Sequence, residues 1–351
     1  HGFVDFGDEL DDGEIVSLDT DDIYAVDVLS IGHIDTTPPE PLKKYLGVDT
    51  WYLRDKNWSP DVPTSVRTGF AAYAEEIAFA SSPTQTGTIP ATEFDGAILI
   101  TPAVGEALLA ALGPMRVGEL VFRADTFFDD LQHEVEIAYR DRGIAPEDRK
   151  DVIGNLLRVV LSDLLLTDPA QWGPYLDVAR TALGNQDIVM YHTDASVQRI
   201  LEEQGWAGEM RVSATHDHFM VVDANMAALK TDARLDRSYN YTVTPLLNGR
   251  YQATLRIDYE HNGGFDFRTT RYRTYTRVYV PNGSELVRVE GALKDDKLKN
   301  PNAEPGDIAR YEEFGAQVFA AFTSVEPGGS GSLTFHYLLQ ERIERQIEDG
   351  L

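Results

Sequence analysis

The chain has 351 residues, 42% of them apolar and 25% charged, and its 58 acidic and 31 basic residues give a formal net charge of −27. This composition is typical of a folded protein, and the excess of negative charge argues against binding to nucleic acid or to an anionic membrane surface. The sequence contains no cysteine, which excludes disulfides, thiolate metal sites and cysteine nucleophiles. The length predicts two domains.

The first 62 residues are acidic and rich in turn signals. Asp12-Gly13 lies between two short apolar runs and predicts a hairpin, and the prolines of Thr37-Pro38-Pro39-Glu40-Pro41 predict a stiff, extended connector. The chain opens with His1 rather than methionine and shows neither a signal segment nor a long apolar stretch. We therefore interpret it as a fragment or a processed product.

From Pro63 the apolar residues follow a helical spacing, with Val66, Phe70, Tyr73 and Ile77 on one face. Helices then alternate with short strands as far as residue 236. A buried strand is predicted at residues 94–100, further strands at 115–121, 187–191, 210–214 and 219–223, and a helical insertion at about 126–183. This alternation predicts an α/β domain, layered around a mixed sheet, over residues 1–236.

The pattern changes near Arg237, where polar and apolar residues begin to alternate. Asn248-Gly249 is the strongest hairpin signal in the chain. Strands are predicted at residues 251–259, 272–280, 285–289, 316–324 and 333–339, with a loop at about 294–307. Several short strands with turn signals between them predict an antiparallel β-sandwich over residues 237–351.

One segment resembles a known family. The tryptophan-rich motif Trp51-Tyr52-Leu53-Arg54-Asp55-Lys56-Asn57-Trp58-Ser59-Pro60-Asp61, with Pro38-Pro39-Glu40-Pro41-Leu42 before it, is similar to the bacterial domain-of-unknown-function family 4012. The resemblance continues over nearly the whole chain, at Asp95-Gly96, Gly113-Pro114, Gly205-Trp206-Ala207-Gly208, Asp217, Asn225, Lys230-Thr231-Asp232 and Arg277-Val278-Tyr279-Val280-Pro281.

The resemblance implies an envelope protein with an N-terminal membrane helix and large extracytoplasmic domains. In this chain the anchor is missing and the family's Arg-x-x-Gly-Gly-Phe entry motif is cut, so that only His1-Gly2-Phe3 matches its end. The family implies no activity. Its general layout is also similar to that of the LytR–CpsA–Psr phosphotransferases, which transfer wall polymers from a lipid pyrophosphate carrier.

The tryptophan-rich motif and the helix after it carry the candidate catalytic residues Arg54, Asp55, Asp61 and Arg67. In one interpretation they form a polar cleft in which arginines hold a pyrophosphate and carboxylates hold a divalent cation. In the other, Ser59 or Asp61 caps the following helix and the two tryptophans pack beneath it. We favour the second interpretation because it explains the spacing without a ligand.

The acidic opening of the chain is a candidate metal site, with the carboxylates of Asp5, Asp8, Asp11 and Asp12 available to Ca²⁺. This run lacks the spacing of an EF-hand loop, so a solvated charged face is the alternative interpretation. Three more aspartates, at positions 19, 21 and 22, form a second cluster.

His216-x-His218 is a second candidate metal site, because two histidines at this spacing on a strand point to the same side and suit Zn²⁺. No third ligand is apparent, so surface histidines are the alternative. Tyrosines in the β-region are candidates for stacking on sugar rings, although tyrosine is also a common strand residue; they are Tyr239, Tyr241, Tyr251, Tyr259, Tyr272, Tyr275 and Tyr279.

Together these features predict an extracytoplasmic protein of the cell envelope or cell surface that works as a non-catalytic scaffold or assembly component, without a cofactor. Its expected partners are envelope components or further copies of the chain, not nucleic acid, with membrane contact only through the missing anchor. Two alternatives stay open: an envelope glycopolymer phosphotransferase acting on a lipid-pyrophosphate-linked substrate, and a calcium-dependent adhesion or surface-layer component. They would use Mg²⁺ and Ca²⁺, respectively.

Overall fold

A computed structural model describes residues 2–5, 10–11, 14–15, 19–79, 93–144, 149–213, 216–227, 229–341 and 343. The chain divides into two compact units: unit 1 comprises His1–Thr36 and Thr50–Glu209, and unit 2 comprises Thr37–Asp49 and Met210–Leu351. The predicted fold class is confirmed. Helices and small sheets form an α/β region, and two four-stranded antiparallel sheets that follow it pack as a sandwich.

Unit 1 contains helices joined to two-stranded antiparallel sheets. Its helices are α1 (Ile23–Ser30), α2 (Val62–Ile77), α3 (Pro102–Leu112), α4 (Phe127–His133), α5 (Tyr139–Asp141), α6 (Asp151–Leu166), α7 (Gly173–Gly184) and α8 (Ala195–Gln204). Its strand pairs are β1 (Gly2–Asp5) with β4 (Asp19–Asp22), β2 (Leu10–Asp11) with β3 (Glu14–Ile15), β5 (Gly96–Ile100) with β8 (Ile188–His192), and β6 (Met115–Val117) with β7 (Leu120–Phe122). A π-helical turn, Glu134–Ala138, joins α4 to α5.

The ends of the helices follow the signals in the sequence. The Asp61 carboxylate accepts a hydrogen bond from the Thr64 backbone N–H at 2.9 Å, which caps α2 as predicted. Asp194 caps α8 in the same way, and Gly205 ends α8 with a φ of +75°. These side chains satisfy backbone donors that a helix leaves unpaired at its start.

Hydrophobic clusters among the described residues stabilise unit 1. The larger cluster joins α3, the β6–β7 hairpin and α4 through Leu109, Met115, Val117, Phe122, Phe127, Leu131 and Val135. Gly105 on α3 makes this packing possible, because a Cβ atom there would lie 2.4 Å from the Phe127 ring. The smaller cluster joins α1 to α2 through Val26, Leu53, Ala72 and Tyr73.

Strand β5 differs from its prediction, because it forms but is not buried. The side chains of Ile98 and Ile100 are 57% and 54% exposed. Among the described strands it pairs only with β8, so its sheet has two strands and lacks the covered faces that a continuous apolar run usually indicates. The apolar sequence was therefore a correct signal for a strand and a wrong signal for burial.

Replacing Ile98 by Thr is expected to change the free energy of unfolding by less than about 0.5 kcal/mol, because the side chain is mostly exposed and Thr keeps the β-branched shape. A urea titration of both proteins measures this. A loss above about 2 kcal/mol, the size expected for a buried aliphatic side chain, would contradict the observed exposure.

Two other strand predictions in this region need correction. Residues 115–121 form the hairpin of β6 and β7 rather than one strand, since Gly118 takes a φ of +60° and reverses the chain. Of the strand predicted at 210–214, the described residues 210–213 are irregular. Met210 and Val212 instead pack against the buried Tyr279 and Val318 of unit 2.

Unit 2 is built around the β-sandwich. Its strands are β9 (Met220–Asn225), β10 (Leu235–Pro245), β11 (Tyr251–His261), β12 (Tyr272–Pro281), β13 (Glu285–Glu290), β14 (Ile308–Glu313), β15 (Ala316–Val325) and β16 (Ser330–Leu338). One sheet has the order β10-β11-β16-β13 and the other β14-β15-β12-β9, with every pairing antiparallel. Leu255, Ile257, Val278, Phe319, Leu333, Phe335 and Tyr337 fill the space between the sheets.

The sandwich begins earlier in the chain than predicted. Strand β9 pairs with β12, so the predicted junction between residues 236 and 237 lies inside unit 2. Strand β14 was not predicted at all. The hairpin predicted at Asn248-Gly249 is confirmed, since Pro245 pairs with Tyr251 across it.

The predicted connector also belongs to the sandwich unit. Tyr45 lies in a π-helical turn, Leu42–Leu46, and is only 3% exposed. Its ring stacks on Phe322 with a centroid separation of 4.1 Å and contacts Tyr275 at 5.9 Å. The segment Thr37–Asp49 therefore covers part of the outer face of the β14-β15-β12-β9 sheet.

Candidate functional site

The tryptophan-rich motif folds into a short 3₁₀ turn, Leu53–Asp55, that leads into α2. The indole Nε1 of Trp51 donates a hydrogen bond of 2.8 Å to the Asp55 carbonyl oxygen. The Lys56 ammonium lies 4.2 Å from the centre of the Trp51 ring. The motif therefore uses an aromatic side chain and a cation to fix its own backbone.

Arg54 is held by carboxylates on two sides. Its guanidinium Nη1 lies 3.3 Å from Asp27 Oδ2, and its Nε lies 3.8 Å from Asp55 Oδ2. The guanidinium also lies 5.1 Å from the centre of the Tyr24 ring and 5.5 Å from that of Tyr52. Although the side chain is 36% exposed, its charge is already matched within the protein.

Beneath Arg54, Asp27 and Glu76 form a buried acid pair. Their exposures are 1% and 0%, and the Glu76 carboxyl group lies close enough to raise the pKa of Asp27. Glu76 also accepts hydrogen bonds from the Leu53 backbone N–H at 2.7 Å and from the Ser30 hydroxyl at 3.2 Å. The pair therefore connects α1, α2 and the motif.

Burial and the neighbouring Glu76 raise the pKa of Asp27 to about 7, while Arg54 acts in the opposite direction. Burial also raises the pKa of Asp55 and lowers the pKa of Lys56. Because a buried site beside one carboxyl group disfavours a second negative charge, Asp27 holds its proton below about pH 7 and releases it as the pH rises through that value.

The remaining candidate residues, Asp61 and Arg67, form a separate group around Thr64. The Thr64 hydroxyl donates to Asp61 at 2.5 Å and accepts a hydrogen bond from Arg67 Nη2 at 3.1 Å. The exposed Arg67 also lies 5.9 Å from the centre of the Tyr191 ring. The structure thus brings Arg54 and Asp55 together, but gives Asp61 and Arg67 partners of their own.

The side chains of the candidate calcium residues lie outside the described part of the structure. Asp5 and Asp11 lie in β1 and β2, where only the backbone is described, and Asp8 and Asp12 lie outside the described residues. Within the described part of the chain, no group of three His, Asp or Glu side chains is arranged to hold a metal ion.

The two histidines lie before β9 rather than on a strand, which corrects the geometry assumed for them. The His216 Nδ1 is 3.1 Å from the Ser213 hydroxyl, and the His218 Nδ1 is 3.2 Å from the His216 carbonyl oxygen. The adjacent Asp217 accepts a 2.6 Å hydrogen bond from the Tyr241 hydroxyl. These contacts fix a turn at the edge of the sandwich.

Asp223 is the centre of a polar network inside the sandwich. One carboxylate oxygen accepts hydrogen bonds from Tyr259 at 3.0 Å and Thr276 at 2.6 Å, and the other pairs with Arg237 Nε at 2.9 Å. Arg237 also pairs with Asp232. Most of the candidate tyrosines are buried in unit 2, and Tyr239, at 49%, is the exposed one.

Sequence reasoning missed Asp27 and Glu76. Each is an acid on the apolar face of a helix: Asp27 follows Val26 on α1, and Glu76 lies three residues after Tyr73 on α2. A charged residue at a core position is unusual unless it has a partner, so this position in the pattern was an available signal.

Comparisons with known proteins add no identification, because no family model and no curated protein matches the chain. Among the described residues, no helix has the length and apolar character needed to cross a membrane. The class of protein is therefore defined by the fold alone: an α/β unit and an antiparallel β-sandwich unit.

Proposed function

We propose that the protein is an extracytoplasmic component of the cell envelope that acts as a non-catalytic scaffold. The observation that supports this proposal is the pairing of Arg54 with the carboxylates of Asp27 and Asp55 within the protein. A phosphoryl-transfer site needs cationic groups that face the ligand rather than protein carboxylates. The motif is better suited to holding α1 and α2 together.

The location outside the cytoplasm is supported by sequence. The resemblance to the envelope family covers nearly the whole chain, and the net charge is −27 with only eight lysines among the 31 basic residues. Carboxylates at this density stay hydrated and are screened where salt or divalent cations are abundant.

The sandwich offers a means of assembly. Among the described strands, β10 pairs only with β11 and lies at the edge of its sheet, and it spans eleven residues from Leu235 to Pro245. An edge strand of this length exposes backbone donors and acceptors to a partner strand. Self-association or binding of another envelope component at β10 is the interaction that this scaffold would use.

In cells that produce the full-length protein, protease added outside is expected to digest it while a cytosolic enzyme stays intact, because the sandwich would face the exterior. Immunoblotting before and after lysis measures this. Digestion that requires lysis would contradict the proposed location.

Catalysis is tested separately with a polyprenyl-pyrophosphate-linked glycan and Mg²⁺. We expect no glycan transfer by the purified chain. Transfer that is lost in Arg67→Ala would contradict the scaffold proposal and favour the phosphotransferase. Arg67 is the sharper variant because it is exposed, whereas Arg54→Ala would leave the buried Asp27 without its cation. A melting temperature lowered by a chelator would favour the calcium-dependent alternative.

A further inference from the structure

One end of the sandwich carries a groove that the scaffold proposal does not use. Two adjoining cavities of about 430 and 400 Å³ share Glu260 and Ser330 as lining residues. Ligand sites for small molecules commonly have volumes of about 300–1,000 Å³. The groove is therefore large enough for one or two sugar-sized rings.

The floor of the groove is a grid of polar side chains from three neighbouring strands. The strand register places Asp236, Glu260 and Ser330 in one row. Ser238, Asp258 and Ser332 form the next row. In the part of the chain that the structure describes, the Glu260 carboxylate and the three serine hydroxyls make no side-chain hydrogen bond, so they are available to a ligand.

The loop beside the groove presents two aromatic rings to solvent. Phe265 is 66% exposed and Phe267 is 48% exposed. The loop is continuous with the groove, because Asn262 and Gly263 line the second cavity and Phe265 and Phe267 follow them in the chain.

This loop is held in place by its own hydrogen bonds. Asp266 Oδ1 accepts hydrogen bonds of 2.7 Å from the backbone N–H groups of Arg268 and Thr269. The Thr269 hydroxyl donates to the Gly264 carbonyl at 2.7 Å. Because these contacts fix the loop, the two rings stay largely exposed to solvent, and burying each of them against a ligand would contribute up to about 1.5–3 kcal/mol.

We propose that this end of the sandwich binds a neutral glycan. The phenylalanine rings would pack against the C–H faces of the sugar rings, and the free carboxylate and hydroxyl groups would hydrogen-bond to sugar hydroxyls. The groove disfavours an acidic glycan, because Arg256 is paired with Asp258 and Arg237 with Asp223, which leaves the charges of Asp236 and Glu260 unmatched by an arginine. The inference does not depend on the envelope location.

The test measures binding of the purified chain to hexasaccharides by isothermal titration calorimetry. The probes are cellohexaose, maltohexaose, mannohexaose and chitohexaose, with hexagalacturonate as the acidic probe. We expect at least one neutral hexamer to bind in the micromolar to millimolar range. We expect the double variant Phe265→Ala/Phe267→Ala to weaken that binding by about tenfold or more, as loss of an aromatic anchor does.

Two further variants make the result specific. Glu260→Gln is expected to weaken binding without affecting the melting temperature, because the side chain is exposed and has no hydrogen-bond partner in the described residues. Leu298→Ala, which removes a 75% exposed apolar side chain from another loop of unit 2, is expected to bind as the parent does. No binding of any neutral hexamer at 5 mM, binding of hexagalacturonate alone, or equal binding by the folded double variant would overturn the proposal.

Discussion

Replacing Asp27 by Asn is expected to remove most of the pH dependence that unit 1 stability shows between about pH 4 and pH 8. The pKa of Asp27 is raised from 3.8 to about 7 in the folded protein, so the native state binds more protons than the unfolded state in this range. This contribution to stability is fully present below about pH 4 and is lost as the pH rises through 7. A change of one pH unit in a group's pKa corresponds to about 1.4 kcal/mol.

The amide introduced by Asp27→Asn would stay neutral and could still donate to Glu76. The variant should therefore match or exceed the parent in stability at pH 8 and approach it or fall below it at pH 5. We expect the difference between the two proteins to change by about 2–4 kcal/mol over this range. Urea titrations followed by tryptophan fluorescence report on the correct unit, because all four tryptophans lie in unit 1.

The difference between variant and parent isolates Asp27 from other groups. Asp55 and Asp217 also have raised pKa values, so the parent alone would show a composite pH dependence. Asp217 is unaffected by the substitution and cancels in the subtraction, and burial, the main cause of the raised pKa of Asp55, is the same in both proteins. Parallel stability curves for the two proteins from pH 5 to pH 8 would contradict the raised pKa of Asp27.

The elements that the sequence predicts well are those fixed by local chemistry. The Asp61 cap, the Gly205 stop and the Asn248-Gly249 turn each depend on backbone needs within a few residues. Strand β14 was missed because Ile308–Glu313 has little apolar periodicity and forms by pairing with β15. Whether this segment forms a strand therefore depends on its pairing with β15.

Burial and unit boundaries depend on contacts that local patterns do not contain. Strand β9 lies inside the predicted α/β region of the chain but pairs with β12, about fifty residues later, where Asp223 lies opposite Thr276. The pairing of α1 with α2 likewise places Ser30 against Glu76, which is 46 residues away. Long-range contacts of this kind join the members of both polar clusters, and a single sequence does not show which of its polar residues become neighbours.

The proposed glycan site, with Phe265 and Phe267, is likewise only partly predictable from the sequence. The segment Gly263-Gly264-Phe265-Asp266-Phe267 reads as a loop, and two aromatic residues in a glycine-rich loop were an available signal. The groove beside it is formed by side chains from β10, β11 and β16, and the register of these strands decides which side chains lie next to one another in it. The site becomes visible only when the strands are paired.

Replacing Asp223 by Ala is expected to destabilise unit 2 by about 3–5 kcal/mol, the cost of removing one partner from a buried ion pair. The Asp223 side chain is 9% exposed and accepts hydrogen bonds from Tyr259 and Thr276, so its loss leaves buried hydroxyls without their acceptor. Arg237, which is 23% exposed, would keep only Asp232 as its carboxylate partner.

Asp232→Ala is the matched control, because it removes the other carboxylate from the same arginine. Asp232 is 45% exposed, and a pair at this exposure contributes about 0–1 kcal/mol. Near-UV circular dichroism of the tyrosines follows unit 2, which holds ten of the sixteen. A large loss in Asp223→Ala and a small one in Asp232→Ala would show that the buried contacts of Asp223 hold β9 to β10 and β11. Equal losses would show instead that the two carboxylates contribute equally to the stability of unit 2. In that case the position of Asp223 between the sheets would contribute no additional stability.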